Sequence, residues 1–142
     1  MPETAVQKPI LQFSVPCLGV DERDGPPCFM YVFYELPLNH FPYKFPETAG
    51  FFIVNGWSQG RGRFRQQVRI RGADGQVLLD PPPREFVLAD PRYPYMMVNF
   101  IQGFEFPRPG DYSVEILLEG EPVMSYSLGI TRAPAEEPAV EV

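Results

Sequence analysis

The chain has 142 residues, 44% of them apolar and 14% aromatic, and a formal net charge of −6. That length fits one domain and removes roughly 68–70% of the unfolded surface from water, so a core forms without metal or disulfide staples. The negative charge speaks against nucleic acid or an anionic membrane surface as a partner, and no apolar run approaches the roughly 18 residues of a membrane span.

Twelve Phe and 18 Pro spread through the chain fit many strands separated by stiff turns. Almost no stretch of helical length escapes Pro or Gly, which excludes long helices. Residues 1–9 read as a flexible lead-in with neither the basic nor the apolar region of a signal peptide, and the predicted location is the cytoplasm. Residues 10–20 read as a strand, bulged or broken at Pro16. The charged turn at 21–27 lacks the alternating ligand positions and closing Glu of a calcium loop, so it reads as solvated. Residues 28–36 are apolar on both faces and predict a central strand. Cys17 and Cys28 fall on these two neighbouring strands. A disulfide between them is one reading, and two reduced thiols, as a cytoplasmic protein keeps them, is the favoured one. With His40 as the single histidine and no Cys-x-x-Cys pair, no metal or cofactor is expected.

Residues 37–50 form a long connection in which Phe41, Tyr43 and Phe45 alternate with Pro42, Lys44 and Pro46. Rigid aromatics in a loop either build a partner surface or fold under and plug one end of the structure. Residues 50–57 make the next strand. The glycines of the turn at 58–62 are followed by neither the Lys nor the helix of a phosphate-binding loop.

Residues 63–71 carry the cleanest alternation. Phe64, Gln66, Val68 and Ile70 face one way, and Arg63, Arg65, Gln67, Arg69 and Arg71 the other. Four arginines on one face, about 6.5–7 Å apart for each two-residue step, suit phosphates or an acidic partner. The bland alternative is a solvent face with cross-strand ion pairs, each worth about 0–1 kcal/mol. Asp74-Gly75 predicts a two-residue type I′ turn that sets Ile70 opposite Leu79. Strands follow at 85–89 and within 93–104.

In the closing hairpin, Tyr112, Val114, Ile116 and Leu118 form one apolar row, and Met124, Tyr126, Leu128 and Ile130 the other. The rows share a face only if their parity matches. A plain two-residue loop at Glu119-Gly120 puts Ile116 opposite Val123, on the wrong row. A three-residue loop or a bulge puts Ile116 opposite Met124 and Val114 opposite Tyr126. Residues 131–142 predict a disordered acidic tail. No Ser or Cys stands at a strand-turn-helix elbow, and spacing alone leaves a Cys17–His40 pair open.

The segment Pro109-Gly110-Asp111-Tyr112-Ser113-Val114 resembles the start of the penultimate strand of immunoglobulin-like domains, where Gly-x-Tyr forms the tyrosine corner. The resemblance gives Tyr112 that role. Val114 departs from it, standing where antibody domains place a cysteine, and Trp57 lies near where such folds bury a Trp. The blocks Tyr31-Val32-Phe33-Tyr34-Glu35-Leu36-Pro37, Phe52-Ile53-Val54-Asn55-Gly56-Trp57 and Phe104-Glu105-Phe106-Pro107-Arg108-Pro109-Gly110-Asp111-Tyr112 resemble an uncharacterised bacterial family of small proteins of unknown function. That resemblance implies a β-sandwich and no assigned activity.

The expected object is an all-β, mostly antiparallel β-sandwich over residues 10–130, with about seven to nine strands and an immunoglobulin-like closing half. The expected role is a non-enzymatic protein-binding or scaffolding module. A protein partner or a homodimer would use Phe41, Tyr43 and Phe45, with Arg63, Arg65, Arg69 and Arg71 as the candidate anion-binding row and no nucleic acid or membrane as partner. The alternatives are a small-molecule or glycan-binding sandwich using loop 39–46, and an enzyme with an unrecognised site.

Overall fold

The structure is a computed structural model that describes residues 5–23 and 26–134. Its strands are β1 (Ile10–Asp21), β2 (Cys28–Val32), β3 (Glu35–Leu38), β4 (Tyr43–Lys44), β5 (Gly50–Ser58), β6 (Gly62–Arg71), β7 (Val77–Leu79), β8 (Arg84–Leu88), β9 (Tyr95–Gln102), β10 (Glu105–Phe106), β11 (Gly110–Leu118) and β12 (Glu121–Arg132). β3, β4, β7 and β10 are four residues or shorter, too short for an alternating pattern to mark them in the sequence. Among the described residues no helix is long and apolar enough to cross a membrane.

Two sheets share one core. The smaller runs β2-β1-β5-β9, and the larger β3-β12-β11-β6-β7 with β8 also on β6. A two-stranded ribbon, β4-β10, lies beside them. Phe51, Ile53 and Trp57 of β5 and Met97 and Ile101 of β9 belong to the same core cluster as Val68 and Ile70 of β6 and Val114 and Ile116 of β11. Pairing is antiparallel except between β3 and β12, which run parallel.

The prediction that residues 28–36 form a central strand is corrected. The segment divides between the two sheets, and β2 and β3 each occupy an outer position. The chain kinks at Tyr31, whose φ is 58°, and Phe33 enters the core while Tyr31, Val32 and Tyr34 stay exposed. Two apolar faces here reflect a crossing from sheet to sheet, not burial between strands. Pro16 sits where this crossing leaves room. Its carbonyl accepts from the Phe33 amide at 3.1 Å, just past the last β1–β2 pair, Cys17 with Val32, so the missing proline N–H falls where the β2 ladder has ended. Cys28 pairs with Asp21, four residues along β1 from Cys17, and both thiols are free.

Both predicted registers hold, the first through a longer turn than expected and the second through the expected bulge. Ile70 lies opposite Leu79, but the loop is Ala73-Asp74-Gly75, closed by Gly72 N–H donating to Gln76 O at 2.8 Å. Only Gly75 has positive φ, at 85°, which is a type I turn with a glycine bulge in place of type I′. Asp74 accepts the Gln76 amide at 3.0 Å, holding it there. In the closing hairpin Glu119 and Gly120 both have positive φ, 51° and 80°, a two-residue turn, and a bulge between Ile116 and Leu117 restores Ile116 opposite Met124 and Val114 opposite Tyr126.

Thr131 and Arg132 belong to β12 and pair with Pro37 and Leu38, so β12 continues two residues into the predicted tail. Residues 135–142 lie outside the described residues, as do Asp24 and Gly25 of the acidic turn. Within the lead-in, Gln7 exchanges two backbone hydrogen bonds with Arg61, both 2.9 Å. Tyr112 donates its hydroxyl to the Arg108 carbonyl at 2.6 Å and accepts from the Arg108 amide at 3.3 Å, a corner closed four residues upstream.

Candidate functional site

The arginine row lies on the outer face of the larger sheet, where alternation along β6 places it. Each guanidinium meets a carboxylate from a neighbouring strand or turn. Arg63 pairs with Glu85 at 2.7 Å, Arg65 with Glu119 at 3.4 Å, and Arg71 with Glu115 at 2.8 Å. Arg69 lies between Asp80 at 3.4 Å and Glu115 at 3.6 Å. A ligand phosphate would have to displace these partners, so the geometry matches the solvated-face alternative.

The aromatic loop turns inward. Phe45 is 8% exposed, and its ring lies 5.8 Å from Phe51 and 6.3 Å from Phe106. Tyr43 packs edge-on against Phe45 at 5.2 Å, and the Arg132 guanidinium covers Phe41 at 5.2 Å. β4 holds the loop down by pairing Tyr43 with Phe106 and Lys44 with Glu105. Phe45 belongs to the core cluster, and Phe41 and Tyr43, half-buried, pack against it. His40 is bound to its neighbour, Nδ1 to Asn39 Oδ1 at 2.6 Å.

A different surface, marked by no motif, lies on the smaller sheet. The residues of β5 that face away from the core are Phe52, Val54 and Gly56, opposite in parity to Phe51, Ile53 and Trp57. Pairing extends them across the smaller sheet into three rungs. Phe13, Gly56 and Met96 form the first, and Val15, Val54 and Val98 the second. Val32, Cys17, Phe52 and Phe100 form the third. No rung contains a charged or polar side chain. An antiparallel sandwich ordinarily turns polar residues outward, as the larger sheet does here with Arg–Glu pairs. Phe52 and Phe100 stack at 4.8 Å. The Phe13 ring lies across Gly56, where an added Cβ would approach it to 2.1 Å, and it meets Phe29 of the β1–β2 arm at 6.1 Å. Phe100 is 44% exposed and Val32 47%, whereas Val54 and Cys17 of the same rungs have no exposed surface and lie under their neighbours' side chains.

The second unforeseen feature is polar and internal. Asn55, Gln66 and Asn99 are buried between the sheets. Asn55 Nδ2 donates to Gln66 Oε1 at 2.7 Å, and Gln66 Nε2 to Asn99 Oδ1 at 3.3 Å. Sequence alternation already turned Gln66 inward with Phe64 and Val68, and that was the one available signal. Among the described residues no three His, Cys, Asp or Glu side chains gather as metal ligands do.

A search of curated proteins found no match. The sequence model of a family of unknown function matches residues 12–131, from the first core strand through the end of the last. That span takes in both sheets, the apolar outer rungs and the buried amides, and the chain therefore belongs to the Family of unknown function (DUF6941).

Proposed function

We propose that this protein is a non-enzymatic docking module and that its outer apolar sheet face receives a second copy of the same chain. The observation that carries the reading is the uninterrupted apolar composition of the three outer rungs. The rungs take five residues from each of three strands about 4.8 Å apart and one residue from β2, so they cover about 14 Å by 16 Å, or roughly 250 Å² on each partner. Two such faces bury on the order of 500 Å², the size of a weak, transient contact. A face without charge meets itself without repulsion, and sheets stack face to face at about 10 Å. Free Cys17 and Cys28 support a reducing compartment, and we place the module in a bacterial cytoplasm. The tyrosine corner and buried Trp57 support an immunoglobulin-like closing half.

Sedimentation velocity across a concentration series tests the docking reading. Val15→Lys places a charge in the middle rung, and a twofold interface presents it twice. The variant should stay folded and dissociate at least about tenfold more readily, equivalent to about 1.4 kcal/mol. Added salt should leave wild-type association intact, because no ion pair holds it. A wild type that is monomeric at millimolar concentration, or a Val15→Lys dimer of wild-type affinity, overturns the proposal.

A further inference from the structure

Between the sheets, at the β9 edge, a cleft of about 120 Å³ is bounded by β6, β8, β9 and the Pro81-Pro82 segment. Gln66 and Asn99 reach it from the core, 1% and 6% exposed, and Val68 and Ile101 give it apolar walls. Arg84 stands at its rim and is the one charged residue lining it. We propose that this cleft binds a short-chain carboxylate, with Arg84 taking the carboxylate and the apolar walls taking the chain.

Three observations converge on that class of ligand. First, Arg84 is held but not neutralised. Its Nη1 donates to Val98 O at 3.0 Å and to Asn99 Oδ1 at 2.9 Å. Among the described residues it has no carboxylate partner, in contrast to the four arginines of the row on β6. Both of those bonds use one nitrogen, which leaves Nε and Nη2, the edge suited to bidentate carboxylate binding. The nearby Asp80 does not fill that place, because Gln67 and Arg69 already engage it.

Second, the amides behind the rim are fixed in orientation. Asn99 Nδ2 donates to Ile53 O at 2.9 Å, and Asn55 anchors Gln66 from behind. Packing alone does not call for two primary amides at the inner wall of the cleft; apolar residues would fill the space without the cost of burying them. A binding site needs such preset polar groups.

Third, size selects among anions. A cavity of about 150 Å³ accepts benzene, so this slightly smaller space suits a chain of about three to five carbons, with longer chains extending from the open side. No nucleophile or titratable acid–base group lines the cleft, so the site binds its ligand without transforming it.

The test is a proton–nitrogen NMR titration of the full chain with propionate, with propionamide as a neutral analogue and phosphate as an anion without a chain, all at constant ionic strength. Propionate should shift the side-chain amide resonances of Gln66 and Asn99 in a saturable manner, and propionamide and phosphate should not. Arg84→Gln should weaken propionate binding at least about tenfold, and Arg84→Lys should weaken it less. If the Gln variant loses its folded spectrum, the Lys variant decides, since losing the guanidinium fork must still lower affinity. Val15→Lys should bind as wild type does, which separates this site from the docking face. Equal titration by propionate and propionamide, saturation by phosphate alone, or an Arg84→Lys curve identical to wild type overturns the proposal.

Discussion

Tyr126 links the sheets with one hydroxyl. It projects from β12 toward β1, where its oxygen lies 3.1 Å from Ser14 Oγ, and Tyr34 packs edge-on at 5.9 Å. Burial disfavours the charged phenolate and pushes the Tyr126 hydroxyl from its ordinary value of 10.0 up to about 12. A group whose value is raised in the fold contributes fully below its unfolded value and loses that contribution as pH climbs through the folded one. Stability should therefore fall between about pH 10 and 12, by up to about 3 kcal/mol at 1.4 kcal/mol for each unit. Urea midpoints at pH 9, 10.5 and 12 check this. Tyr126→Phe should start less stable and then decline less steeply across that window. A parallel decline in both proteins would remove Tyr126 as the source. Tyr112, by contrast, was legible in advance, because Gly-x-Tyr before an alternating strand specifies the corner locally.

At the scale of the element, the two hairpin turns show what sequence does and does not determine. Parity of the apolar rows set the pairing, and the structure kept it in both hairpins. The first turn is three residues long where two were expected, and in the closing hairpin a bulge supplies the odd residue that parity required. Asp74 ties its side chain to the Gln76 amide and stays out of the left-handed region, whereas Glu119 accepts that conformation beside Gly120. Gly75 and Gly120 both have positive φ with nothing within 4 Å of an added Cβ, so replacing either with Ala costs backbone strain alone, about 1–2 kcal/mol. Gly56→Ala carries a different penalty, since its Cβ would run into the Phe13 ring. Thermal denaturation of Gly120→Ala beside Gly56→Ala should show the second as the larger loss, with dispersed Phe13 signals in the wild type only. The apolar outer rungs were written in plain view as Phe51-Phe52-Ile53-Val54 and Met96-Met97-Val98. The run alone does not reveal an outer face, because an apolar strand can be buried on both faces or left unpartnered, and neighbouring strands decide which. The amide cluster was illegible for a related reason. Asn55 and Asn99 meet Gln66 only once both sheets are in place.

Across the whole molecule, the two outer faces are built on opposite plans. β6 and β11 carry a lattice of arginines, glutamates and serines, and β1, β5 and β9 carry valines and phenylalanines. Alternation along β6 revealed the first plan, and no comparable signal announced the second. For loop 39–46 the sequence leaves a buried plug and a partner surface both open, because the partners of its rings, Phe51, Phe104 and Phe106, are distant along the chain; in the fold they form one aromatic cluster.

The lone parallel pair has a kinetic consequence. β3 joins the larger sheet only beside Gly129 to Arg132 of β12, and backbone bonds from the Gly129 and Ala133 amides to the Tyr34 and Leu38 carbonyls, both 2.8 Å, extend the seam at each end. Its two sides are separated by more than ninety positions along the chain, so closing it requires the long loop between them to be gathered first. Such a contact forms late and opens early. Native-state hydrogen exchange should show the amides of Leu36, Leu38, Gly129 and Ala133 opening together as one unit, at lower free energy than those of Val114 and Ile116 in the sheet centre. Uniform protection across the two groups would mean that the seam breaks only when everything does. If it does open alone, the segment it frees leads directly into the ring of Phe41 under Arg132, and the aromatic cluster gains a hinge that no side chain of its own supplies.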